Sequence, residues 1–409
     1  VKYTFCIFLA SVVLVPAIAH RGVAQTTATL TTTGDWDVAG NWSNNDVPDS
    51  PTESALIGQT NGAGSAATLN LGADRTIGNL GVGNQISGNN GFSGALTING
   101  ASNSLTVNDL NLFTGAISGT GNLVVDGNAS LLAGSTLVGS GTATFNGTLT
   151  LNQGGLTIDA NTREIFTNGT TNWNADSTMS LGDNWNNGGN FIKAGGGDFL
   201  VNSVVAGATF VNTGTVQVNG GSLGFENYSG GGSIQLNSDA TISFGTTTSV
   251  EIAGGQGLAG NGSVGADVSL ASGAFVGPGN SVGTLTIDGD FAMVANSEFR
   301  LELGGDNSFD ILNVNGLATG NGNLMVSFID GYSFESATKD FTFLNASDGS
   351  TLAFDTLTFA DDNYSGTVAQ TGGAYTLSVT AVPEPSSAAL LALSGLGCAF
   401  IRRRRAAIR

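Results

Sequence analysis

Cysteine and histidine are almost missing from these 409 residues: Cys6, Cys398 and His20 are all there is of either type. The three fall in or beside apolar terminal segments, so the long stretch between them has neither. For that stretch a disulfide framework, a thiol nucleophile, a Ser-His-Asp triad and any zinc or copper site built on His or Cys are excluded. Proline is scarce, at 6 residues, and charged residues make up only 11%. Amphipathic helices need a charged solvent face, so an ordinary α/β architecture is not expected. Basic residues are thinnest in the middle of the chain. Lys2, Arg21, Arg402, Arg403, Arg404, Arg405 and Arg409 lie near the ends; between Gln25 and Val382 only Arg75, Arg163, Lys193, Arg300 and Lys339 stand against 30 acidic residues, a net charge of −25. Phosphate binding needs clustered Lys and Arg, so nucleic acid is not an expected partner.

What is abundant is glycine, at 63 residues, mixed with Thr, Asn, Ser and Val. That composition describes short β-strands separated by tight corners, and an all-β fold. From Thr26 to about Asp306 one pattern recurs, three to five alternating apolar and polar residues followed by Gly, Asn, Ser or Asp: "GALTING" from Gly94, "GTLTLNQGGLTID" from Gly147, "GTVQVNGGSLGFEN" from Gly214, "GTLTIDGDF" from Gly283. Strand starts spaced by roughly 7 to 12 residues, with no helical pattern between them, fit a sandwich, a barrel or a β-solenoid. The run continues for too long, with too little loop, for an ordinary sandwich. A right-handed parallel β-helix is therefore expected over 25–306, with about 14 coils of about 20 residues. Beyond Asp306 larger residues cluster, as in "NLMVSFIDGYSFE" and "DFTFLNAS", and 307–381 reads as a small β-sandwich-like cap over the last coil.

The two ends differ from this body. Residues 1–24 have the form of a secretory signal: Lys2, an apolar run from Phe5 to Ala19, and small-residue pairs that fit cleavage before His20 or before Gln25. Over 382–409, "VPEP" at Val382 to Pro385 precedes an apolar run, Ala388 to Ile401, and the basic cluster Arg402 to Arg405. A helix of that run would span only ~21 Å, short of a hydrocarbon core of roughly 30 Å, so it suits transient insertion held by cytoplasmic arginines better than permanent anchoring.

The order of motif, apolar run and basic stop resembles the PEP-CTERM sorting signal of Gram-negative bacteria. The resemblance implies recognition by an exosortase-type membrane enzyme, with Pro383, Glu384 and Pro385 as recognition residues in a substrate and Arg402, Arg403, Arg404 and Arg405 as the membrane stop. It further implies export to the cell surface or beyond and a link to exopolysaccharide and biofilm matrix, with glycans as partners. Within the body, "GDWDVAGNWSNNDVPDSPTESALIG" from Gly34, with Trp36 and Trp42 over the first coil, and "GLAGNGSVGADVSLASGAFVGPGNSVGTLTIDGDF" from Gly257 resemble the opening and closing segments of autotransporter passengers. The likeness departs in one respect, since no barrel-type strand pattern follows the second segment here.

For catalysis only carboxylates remain. Asp288 with Asp290, Glu298 with Glu302, and Asp361 with Asp362 are the pairs close in sequence. Residues two apart in a strand share a face about 6.5 to 7 Å apart, which would let Asp288 and Asp290 flank a glycosidic bond. Turn chemistry alone accounts for "DGD", however, and Glu298 and Glu302 fit a solvated strand face. The expectation is a non-enzyme, with a secreted carbohydrate-active β-helix as the alternative. No metal site or cofactor is expected: "GGGDF" from Gly195 and "GGDNSFD" from Gly304 lack the nine-residue calcium repeat, so oxygen ligands would hold calcium only weakly. Trp173 and Trp185, in an Asn-rich stretch, are candidate sugar-stacking residues, with packing under a corner as the other reading.

Overall fold

Alternation decides which way each side chain points. In Thr148–Leu151, Thr215–Val218 and Asp267–Leu270, the second and fourth residues are buried and the first and third are not. Segments this short cannot bury an apolar face alone, so each strand is completed by the one a coil above and the one a coil below. The computed structural model describes residues 26–382 apart from 59–64, 84–93, 114, 133, 153–162, 175–177 and 335–337. Among the described residues there is a single 3₁₀ turn, Ala39–Asn41, and no other helix. Almost all strands join one sheet of 33, with a further sheet of five, and the pairing is parallel nearly throughout. Parallel strands that repeat once per coil define a β-helix.

One inward column can be followed from end to end. Ala28 pairs with Ala55, then Leu80, Leu110, Ala129 and Leu149; the line passes through Thr171 to Phe191, Val216, Ile234 and Leu258, and on through Val276, Phe299 and Leu324 to Leu357. Thirteen of these positions precede Asp306, close to the 14 coils expected, but the coil length is not constant: Val216 and Ile234 are 18 residues apart, Leu324 and Leu357 are 33. Burial of such columns, at about 25 cal/mol per Å² of apolar surface, is the main stabilising term.

Corners explain the glycine content. Gly147, Gly169, Gly189 and Gly214 occupy one corner in successive coils, and a Cβ added at each would lie 2.1, 2.0, 1.8 and 2.1 Å from the carbonyl oxygen of the glycine one coil earlier. No side chain fits there. The requirement at this corner is close backbone approach, not an unusual φ.

The texture change at Asp306 does not interrupt the ladder. Ile311–Val314 pairs in parallel with Thr284–Ile287, and Ala318–Phe328 pairs with Glu298–Gly305. The antiparallel closing element comprises Thr338–Asn345, Tyr364–Thr371 and Ala374–Ala381, with the last strand in the middle. It is tied to the coils through Leu312 opposite Leu344, so it extends the same sheet. At the other end Trp36 and Trp42 are fully buried over the first coil, edge to face at 4.8 Å. Their indole N–H groups donate to the carbonyls of Pro48 at 3.1 Å and Trp36 at 2.7 Å.

Candidate functional site

The secretory segment 1–24 and the sorting residues Pro383, Glu384, Pro385, Arg402, Arg403, Arg404 and Arg405 lie outside the described residues, as does the apolar run 388–401. The ladder leads directly to the motif: the final strand ends at Ala381, and Val382 donates its N–H to the Asn363 carbonyl at 2.7 Å. Among the described residues no helix is long and apolar enough to cross a membrane.

The carboxylate pairs occupy corners and strand faces. Asp288 accepts from the Asn315 side chain at 3.0 Å, while Asp290 accepts the Leu317 N–H at 2.8 Å and donates its own N–H to Asp267 at 2.8 Å. Stacked aspartates that accept the N–H of the next coil are corner locks, and Asp109 does the same for Asn128 at 2.7 Å. Glu298 pairs with Arg300 at 2.5 Å on an outward face that also carries Glu302. Asp361 and Asp362 are exposed, with Asp361 accepting the Asn363 N–H at 2.9 Å. No group of three or more His, Cys, Asp or Glu side chains among the described residues is arranged to hold a metal ion.

Trp173 and Trp185 do not face solvent. Each occupies an inward strand position and is 1 to 2% exposed, Trp173 against Phe199 at 4.7 Å and Trp185 against Phe191 at 5.9 Å. Asn172 and Asn186 take the outward positions of the same strands, so the polar flanks mask a core pattern.

Polar groups missed in the sequence lie inside the helix. Thr167, Asn187 and Asn212 continue the inward column that begins with Ile77, Val107, Val125 and Phe145, and all three are buried. The Trp185 indole donates to the Thr167 hydroxyl at 3.2 Å, which contacts Asn187 Oδ1 at 3.3 Å; Asn187 donates to Asn212 at 2.9 Å and Asn212 to the Tyr228 hydroxyl at 3.1 Å. Burial pushes the Tyr228 hydroxyl up to about 12. Arg163 is also buried, held by the carbonyls of Gly121 at 2.6 Å, Ser118 at 2.9 Å and Val138 at 3.0 Å, among others. Burial lowers its guanidinium to about 10. Lys193 donates to the carbonyls of Gly195 at 2.9 Å, Gly197 at 2.6 Å and Gly220. Asp310 completes the set, 1% exposed, accepting the N–H of Gly283 at 2.9 Å and of Glu302 at 2.8 Å. Its carboxyl is raised to about 7 by burial, which outweighs those two bonds.

The outer surface is the remaining candidate. Along one face, Thr148 and Thr150, Thr170 and Asn172, Asn190, Thr215 and Gln217, and Ser233 and Gln235 point outward from successive paired strands, with Ile192 as an apolar interruption. Strands ≈ 4.8 Å apart turn these into rows of hydroxyl and amide groups. On an adjoining corner Asn146 donates to Asp126 at 2.8 Å and Asn168 to Asn146 at 2.9 Å. A groove of about 420 Å³, lined by Thr76, Asn79, Thr106, Asn108, Asp109 and Asp126 among others, opens beside them.

Comparison with known proteins bears on the two parts separately. The family model of the PEP-CTERM protein-sorting motif matches residues 381–405. The chain carries a PEP-CTERM sorting signal. It is thus an exported protein whose signal implies processing by an exosortase-type enzyme, and the match begins on the last residue of the last strand. For the body, the crystal structure of the Haemophilus influenzae Hap adhesin aligns over 87% of this chain at 13% identity and a TM-score of 0.34. The chain spans about half of that structure, 48%. No curated protein sequence matches.

Proposed function

We propose that this protein is a non-enzymatic component of the cell surface or extracellular matrix, a rod displayed or released after its PEP-CTERM tail is processed, which binds glycans along its outward hydroxyl and amide rows. The observation that carries this is the union of a sorting signal with a ladder that runs unbroken to residue 381. A parallel β-helix is stiff because every coil is hydrogen-bonded to two others, and stiffness over a long body suits display. Weak contacts repeated along a rod give avidity toward a repetitive polymer. Asp288 and Asp290 are engaged in holding coils together, which supports a structural role for them.

The second reading is a secreted carbohydrate-active protein, favoured by the groove beside Asp109 and Asp126. Both carboxylates are already bonded, Asp109 to a backbone N–H and Asp126 to an asparagine amide. Purified protein incubated with neutral and acidic polysaccharides separates the two by co-sedimentation and reducing-end release. The expected result is retention on polymer with no new reducing ends. Turnover that disappears in Asp288→Asn, Asp290→Asn or Asp109→Asn would replace the first reading with the second.

A further inference from the structure

A cluster of half-buried aromatic side chains stands at the point where the chain leaves the ladder. Tyr364 lies opposite Ala381 in the closing element, and its ring stacks on Phe328 at 4.1 Å and meets Phe334 at 5.1 Å. The Tyr364 hydroxyl accepts the Phe334 N–H at 3.1 Å, and Tyr332 packs against Phe328 at 6.1 Å. Tyr364 is buried, but Phe328, Tyr332 and Phe334 keep part of their surface in solvent. Val382, one residue past the last strand, is 46% exposed. The Tyr332 hydroxyl donates to Asp306, which also holds Lys339, so the rings end in a polar rim. Within the coils, by contrast, large rings such as Trp173 and Trp185 are turned fully inward.

We infer that this cluster is a docking surface for the membrane interface, resting on lipid head groups while the sorting tail is inserted in the bilayer. The inference rests on the reading that 388–401 enters the membrane before processing. Chain length selects lipid as the occupant. Six residues, Val382 to Ser387, separate the last strand from Ala388, a reach of about 20 Å at most. The 14 residues 388–401 would span ~21 Å as a helix, about 9 Å less than the hydrocarbon core. A span that short is met by thinning the bilayer and by drawing its flanks into the interface. With Arg402 to Arg405 holding the far side, the end of the ladder is pulled toward a head-group layer roughly 5 to 7 Å deep. The side chains it brings there suit that layer, since their rings are apolar and Tyr332 adds a polar tip. Asp330, Asp361 and Asp362 are exposed beside these aromatics in sequence and would be repelled by anionic lipid, so a zwitterionic surface is the better match.

The test uses the full chain, with Cys6→Ser and Cys398→Ser, in phosphatidylcholine vesicles. Ser333, exposed between Tyr332 and Phe334, is changed to Cys and labelled with an environment-sensitive fluorophore; Thr27→Cys, exposed at the other end of the rod, is the control. On protein that floats with the vesicles, the label at position 333 should be blue-shifted and quenched by lipid spin-labelled at the head group, and the label at position 27 should be neither. Tyr332→Ser combined with Phe334→Ser should cut that quenching at least about threefold, and Tyr332→Trp should preserve it. Melting temperatures in solution check that these variants fold, and the label in the otherwise unchanged chain decides the matter even where the serine pair does not. Flotation with a label at position 333 that stays in water overturns the docking surface and leaves the reading of the tail standing; failure to float overturns both. A label shielded only in membranes from the host, and not in protein-free vesicles, would assign the surface to a protein partner and likewise overturn the proposal.

Discussion

Thr171 is the one hydroxyl in the inward column that runs from Ala28 to Leu357, and its Oγ1 is buried with no hydrogen-bond partner among the described residues. Replacing it with valine keeps the shape and removes a desolvated polar group, so Thr171→Val should raise the unfolding free energy by about 1 kcal/mol in urea titrations. Arg163 sits at the opposite extreme. Its guanidinium saturates carbonyls at corners as far away in sequence as Ser118 and Gly121. Arg163→Met would orphan those acceptors and should cost roughly 3 kcal/mol, with Arg163→Lys intermediate, read from the same titrations. Neither role is legible in the sequence. Arg163 registers there only as one of five scattered cations, because the groups that hold it arrive from other coils, and Lys193 does so because its burial follows from strand register even though Gly195 and Gly197 of its own turn help to hold it. Trp173 and Trp185 fail to read correctly for a related reason: their inward positions follow from strand register, and the asparagines around them dominate the local composition.

At the scale of strands and corners the sequence is far more explicit. Period-two alternation between glycines specifies strands such as Thr148–Leu151 residue by residue, since which side faces in depends on nothing distant. The glycine corners are equally visible, although the reason for them, a carbonyl within about 2 Å of any added Cβ, appears only when coils are stacked. The change of texture after Asp306 misleads because larger side chains mark longer closing coils, and not a new ladder. Two predictions belong here. Asn187 and Asn212 form one internal chain, so Asn187→Leu and Asn212→Leu should each destabilise by about 2 kcal/mol, and the double variant by clearly less than the sum. Asp310 locks the Gly279–Gly283 turn to the following coil, and its carboxyl, at about 7, holds its proton more tightly folded than unfolded. Between about pH 4 and pH 7 the native state then binds more protons than the unfolded chain, so this contribution is full at low pH and is lost as pH rises through 7. Melting temperatures of the wild type minus those of Asp310→Asn should be largest at about pH 4 and below and shrink toward pH 8; a constant difference would contradict that assignment.

For the molecule as a whole, the order of parts carries more than any single site. A ladder of parallel coils capped by tryptophans at one end and a sorting motif that begins where the last strand stops describe a body built to be handed across a membrane. The acidic balance, −25 between Gln25 and Val382, favours solubility once there. The sorting signal is legible from residues 382–409 alone, because its three parts are consecutive. The surface proposed to bind glycans is less so, since its rows exist only after register brings Thr148, Thr170 and their counterparts into line. The most direct test of the account is the intact mass and cell fraction of the protein in its own host. The account predicts a mature form that lacks both the leading segment and Arg402 to Arg405, recovered at the surface or in the medium. A form that keeps Arg402 to Arg405 and stays in the inner membrane would contradict it.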